Sequence, residues 1–101
     1  MITTKDIENF KETFNDETPL GEPQHWIYLK SGRSIEITHE EAGLSKDKQF
    51  FSIRLHSTDE EFYNGEYSNT VGVITTLIAT TAQDVLNCIV AIMRTFKEME
   101  D

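Results

Sequence analysis

The sequence is short of most residues that announce a known chemistry. Cysteine occurs once, at Cys88, so no internal disulfide can form. Such a chain is expected in a reducing compartment, the cytoplasm, where a fold must hold by packing alone. The two prolines, Pro19 and Pro23, fall within one short segment, and no Pro-, Gly- or Ser-rich linker divides the chain. No apolar run approaches the ~20 residues needed to cross a bilayer. The N-terminus lacks the basic start and apolar stretch of a secretory signal. These absences predict a single domain over residues 1–101 with no membrane partner.

Glycine is also sparse. The five glycines, at 21, 32, 43, 65 and 72, are scattered, and neither a dinucleotide-binding nor a Walker pattern occurs. The three histidines, His25, His39 and His56, form no His-Glu-x-x-His helix, and no Cys-x-x-Cys exists. Cys88 lies on the apolar stripe of a helix, where a thiol is a small hydrophobe rather than a nucleophile. No serine sits in a Gly-x-Ser-x-Gly turn. The chain is therefore expected to be non-enzymatic, with no catalytic, metal or cofactor residue.

Basic residues are few and dispersed. Nine Lys and Arg stand against 18 Asp and Glu, a net charge of −9. Phosphate backbones are bound by clustered Lys and Arg, so direct nucleic-acid binding is not expected. The acidity is uneven. Residues 1–22 carry −4, residues 23–35 carry +2, residues 36–66 carry −5 and residues 67–101 carry −2.

What is present reads as α+β. Thr3 with Asp6 forms a capping box for a helix over about 4–15, with Ile7, Phe10 and Phe14 as its stripe. His25–Lys30 and Arg33–Thr38 around Ser31-Gly32 predict a hairpin with a two-residue turn. That turn sets Trp26 against Ile37 and Tyr28 against Ile35, leaving Ile27, Leu29 and Glu36 on the other face. Thr38 with Glu41 fits a further cap for a single helical turn. Gln49–His56 alternates as a strand, and Asn64-Gly65 fits a hairpin turn. Thr70–Ala79 is β-branched and apolar on both faces, as a central strand would be. Thr81 caps a final helix to about Glu98, with Val85, Cys88, Ile89, Ile92, Met93 and Phe96 on one face. The expected fold is an antiparallel sheet of three to four strands, with an N-terminal and a C-terminal helix packed on one face.

Function is read from the charge. Acids steer a basic partner and aromatics anchor it. The expected docking residues are Glu36, Glu40, Glu41, Asp59, Glu60, Glu61, Phe62, Tyr63, Glu66 and Tyr67. The partner is a protein with a basic surface. The expected role is inhibition of a nucleic-acid-processing enzyme, in the physical manner of immunity proteins and phage-encoded inhibitors, though no motif identifies either group. The alternative is a self-associating assembly module, a homodimer through the last helix or a sheet edge.

Overall fold

The computed structural model describes residues 2–41, 49–64 and 72–99. The chain opens with two short helices, α1 (Thr4–Glu8) and α2 (Phe10–Thr13). The strands β1 (Asp16–Glu17), β2 (Pro23–Tyr28), β3 (Ser34–Glu40) and β4 (Phe50–His56) follow. Then come a short helix α3 (Asp59–Tyr63), the strand β5 (Val73–Ala79) and the long helix α4 (Ala82–Thr95). The five strands form one antiparallel sheet in the order β1-β2-β3-β4-β5. The α+β expectation holds, with five strands in place of three to four.

The additional strand, β1, has no periodicity that a sequence could reveal. It exists because a tight turn folds Asp16–Glu17 back on Gln24 and Pro23. In that turn Thr18 N donates to Glu22 O at 2.9 Å, Gly21 N donates to Thr18 O at 2.8 Å, and Gly21 takes φ +82°.

The first helix keeps its predicted start. Thr3 Oγ1 accepts from Asp6 N and Asp6 Oδ2 accepts from Thr3 N. It is shorter than expected and breaks at Asn9, which leaves the helical region at φ −98°, ψ 35°. The break turns Phe10 onto His39 (ring centroids 4.0 Å) and Phe51 (5.6 Å).

The hairpin corrects the expected register. Lys30-Ser31-Gly32 form a three-residue loop: Leu29 N donates to Arg33 O at 2.9 Å and Gly32 N to Leu29 O at 3.1 Å. Gly32 adopts φ +93°, the left-handed position that closes such a loop. One extra loop residue slips the pairing by one and reverses the faces of β2. His25 now stands opposite Ile37, Trp26 opposite Glu36 and Ile27 opposite Ile35. Ile27 and Leu29 therefore pack on the core, and Trp26 shares its face with Glu36.

Ile35, Ile37, Ile53 and Leu55 are fully buried on one sheet face, against Ile7 of α1 and Val85, Ile89 and Ile92 of α4. Each such side chain contributes about 1.5–3 kcal/mol by leaving water. α4 starts as expected, with Thr81 Oγ1 accepting from Asp84 N at 3.1 Å. Its apolar face is thus taken up by the core.

Three other expectations change. Thr38 caps no helix, because its segment continues as β3 to Glu40. Phe62 and Tyr63 lie in α3, where Thr58 and Glu61 make a capping box; the expected turn at Asn64-Gly65 extends outside the described residues. β5 is an edge strand rather than a central one. Its apolar content serves the core through Leu77 and Ala79, while Ile78 stays 58% exposed.

Candidate functional site

Among the described residues the second face of the sheet carries no helix except the short α3 at one end. Strand parity collects Gln24, Trp26, Glu36, Thr38, Glu40, Ser52, Arg54 and His56 there. Its centre is a closed network. Glu36 Oε2 accepts from Thr38 Oγ1 at 2.6 Å and from Arg54 Nη1 at 2.9 Å. Glu36 Oε1 accepts from His56 Nε2 at 3.0 Å. Arg54 also donates to Ser52 Oγ at 2.9 Å and to Glu40 Oε1 at 3.4 Å, and Ser52 Oγ donates to Glu40 Oε1 at 2.8 Å. Trp26 Nε1 donates to Gln24 Oε1, whose Nε2 donates to Thr38 Oγ1, both at 3.1 Å.

The network fixes the charge of Glu36. Burial pushes its pKa up, but the hydrogen bonds from His56, Thr38 and Arg54 and the Arg54 charge outweigh that and hold it at about 2. Glu36 and Glu40 were expected to face a partner, yet both are engaged within the sheet. Glu41 is likewise occupied: its Oε1 accepts from His39 Nδ1 at 2.8 Å, and its backbone N donates to Glu22 Oε2 at 2.8 Å.

The end of this face where α3 sits is different. Trp26, Ser34, His56, Asp59, Phe62 and Tyr63 line a cleft of about 560 Å³. Trp26 leans on His56 (ring centroids 4.9 Å), and Phe62 meets Tyr63 edge-on at 5.4 Å. Gly72 closes the floor at φ +75°, where a Cβ would lie 3.0 Å from Ser57 Oγ and 3.4 Å from the Phe62 ring.

α3 is held by Arg33 on the hairpin loop. Arg33 Nε and Nη2 grip the Glu61 carboxylate at 3.0, 3.2 and 2.6 Å. Arg33 Nη1 reaches Glu98 Oε1 at 3.5 Å, which also accepts from Ser31 Oγ at 2.8 Å. The Arg33 hydrogen bonds foremost, with the Thr58 cap, hold Glu61 at about 2. The positive hairpin tip is thereby joined to two acids, and Glu61 faces inward. Asp59 and Glu60 are exposed and pair with no cation among the described residues. Tyr63 is 81% exposed.

Of the ten residues expected at the site, α3 thus brings together Asp59, Glu60, Phe62 and Tyr63, with Glu61 as their anchor. Glu66 and Tyr67 lie outside the described residues. Sequence reasoning missed Trp26 and His56, because the hairpin register placed Trp26 in the core. It also missed α3, although Thr58-Asp-Glu-Glu61 is a capping-box pattern.

Among the described residues no group of three or more His, Cys, Asp or Glu is placed to hold a metal ion. Among them no helix is long and apolar enough to cross a membrane. Burial foremost, and Asp84 nearby, push the Cys88 thiol up. No family model, curated protein or solved structure matches the chain.

Proposed function

We propose that the protein is a small, non-enzymatic binding module that docks on a basic surface of another protein. The fitting surface is the Lys/Arg-lined groove of a nucleic-acid-processing enzyme, which the module would inhibit. The observation that carries this reading is α3. There the exposed acid Asp59 and exposed Tyr63 line a cleft walled by Trp26 and Phe62, and the exposed Glu60 beside Asp59 borders the adjoining hollow of Arg33 and Lys97.

The division of labour follows from the pairing. Glu36, Glu40 and Glu61 neutralise arginines inside the protein, Glu41 hydrogen-bonds His39, and together they build the frame. Asp59 and Glu60 keep their charge for solvent or a partner. An arginine entering the cleft would meet aromatic faces, an interaction of about 0.5–2 kcal/mol within ~6 Å of a ring centre. The carboxylates at the rim raise its approach rate and fix its orientation. Direct phosphate binding is disfavoured by the same pairing, since Arg33 and Arg54 are turned to internal acids.

Trp26 is the chain's single tryptophan and lines the cleft, so its fluorescence reports occupancy. Titration with acetyl-Gly-Arg-Gly-amide is expected to give a saturable change that weakens as salt is added. The citrulline peptide, which lacks the charge, is expected to give none. Equal responses to both peptides, or indifference to salt, would contradict the reading.

A further inference from the structure

Among the described residues His56 is the one titratable group shared by the polar network and the aromatic cleft. Its two ring nitrogens have different surroundings. Nε2 lies 3.0 Å from Glu36 Oε1. Glu36 is held ionised down to about pH 2, and a carboxylate only accepts, so Nε2 carries a proton in the neutral ring as well as in the charged one. Neutral His56 is therefore the Nε2–H tautomer, with a lone pair on Nδ1. That Nδ1 has no partner among the described residues, and it is not shut away from solvent, since the buried ring nitrogen left unpaired is Nδ1 of His25. The side chain keeps 21% of its surface exposed and lines the cleft, with the Trp26 ring 4.9 Å away.

We propose that His56 sets which charge the cleft accepts: neutral, its Nδ1 takes an N–H from an entering cation, and protonated at Nδ1 it repels that cation. The cation is the arginine of the reading above, on which this inference rests. The groups around His56 leave its proton in control. From β3 comes Glu36, and from β4 Arg54, whose Nη1 lies 2.9 Å from the same carboxylate and whose Nη2 reaches Glu40. These charges compensate one another. β2 brings Trp26 and β5 brings Val73, opposite His56, neither of them charged. α3 brings Asp59 and the Tyr63 phenol, while Glu61 is turned to Arg33. Asp59 is thus the charge left facing the cleft when His56 is neutral, and an imidazolium offsets it. The same proton converts Nδ1 from acceptor to donor, so attraction and hydrogen bond are lost together.

Two measurements test this, and the first needs no peptide. Quenching of Trp26, the single tryptophan, by iodide and by caesium reports the sign of charge at the cleft. From about pH 8 to about pH 5, the span in which a histidine gains its proton, the ratio of the iodide to the caesium quenching constant is expected to rise roughly twofold or more at low salt. His56→Gln keeps a donor for Glu36 but has no proton to gain, and is expected to lose most of that rise. The second measurement uses the unmodified chain: an NMR titration of the three histidines with and without acetyl-Gly-Arg-Gly-amide. The peptide is expected to bind roughly tenfold more weakly at the acid end. By linkage, saturating peptide is then expected to lower the measured His56 pKa by about one unit and to leave His25 and His39 where they were. A peptide that binds equally across the span, or that leaves the His56 titration unmoved, overturns the proposal. So does a quenching ratio that rises undiminished in folded His56→Gln. A quenching ratio that follows His56 in a chain that binds no peptide at any pH supports the charge switch and overturns the arginine reading alone.

Discussion

Glu36 is a buried charge at the centre of the sheet's polar face, and its cost is met by three donors: His56, Thr38 and Arg54. Removing the charge while keeping the shape separates the two contributions. Glu36→Gln is expected to lower stability by about 1–3 kcal/mol, the usual loss when charged hydrogen bonds are broken in a buried place. The effect depends on pH with a defined sign. Glu36 and Glu61 titrate near 2 when folded, below the ordinary 4.5. Each therefore adds stability that is complete above pH 4.5 and lost as pH falls toward 2. Urea midpoints across that range should drop less for Glu36→Gln and Glu61→Gln than for the unmodified chain. Identical slopes would show that neither carboxylate is held as the geometry requires. The sequence signalled that Glu36 lies on the mixed face of the hairpin. It did not signal that the residue is spent internally, because Arg54 and His56 lie 18 and 20 residues away and meet it only through strand pairing.

Among the elements, the hairpin shows how a single turn residue decides which side chains reach solvent. Two-residue and three-residue loops both fit Lys30-Ser31-Gly32 by composition. The three-residue loop wins because it lets Ile27 join Ile35 in the core while Trp26 moves to the face of Glu36. Gly32→Ala should test this. Its φ of +93° and a Cβ contact of 3.2 Å with Thr58 Cγ2 predict a loss of about 1 kcal/mol or more. Elements with strong local signals were legible: the caps at Thr3 and Thr81, the alternation of β4 and the stripe of α4. β1 was not, since it is two residues long; α3 offered only its cap at Thr58, because its anchor Arg33 lies 28 residues away from Glu61. Arg33→Ala should therefore loosen α3 selectively. Loss of about 1.5–3 kcal/mol from charged hydrogen bonds predicts roughly 10- to 100-fold faster amide exchange at Phe62 and Asn64. Exchange at Ile89 and Ile92 should change far less.

Over the whole molecule, most of the described acids behind the net charge of −9 fall into two populations. One is internal: Glu22, Glu36, Glu40, Glu41, Glu61 and Glu98 bind cations or backbone and shape the fold. The other is exposed: Glu8 on α1, Glu12 on α2, Asp16 and Glu17 on β1, and Asp59 and Glu60 on α3. Composition showed the acidity and the α+β class, but which acids stay free is a property of tertiary pairing. It also reassigns Glu98, which lies near the acidic C-terminus yet accepts from Arg33 and Ser31 inside the structure. Of the external acids, Asp59 lines an aromatic cleft and Glu60 is its neighbour on α3, which is why the proposed binding is placed there rather than on the acidic surface at large.

The most direct test of that placement is a chemical-shift map of the isotope-labelled chain titrated with acetyl-Gly-Arg-Gly-amide at low salt. The account predicts shifts concentrated at the Trp26 indole and residues 59–63, abolished by Asp59→Asn with Glu60→Gln and by added salt. Shifts spread evenly over Glu8, Glu12, Asp16, Glu17, Asp59 and Glu60, with the Trp26 indole unmoved, would contradict it and leave the charge as a solvated surface.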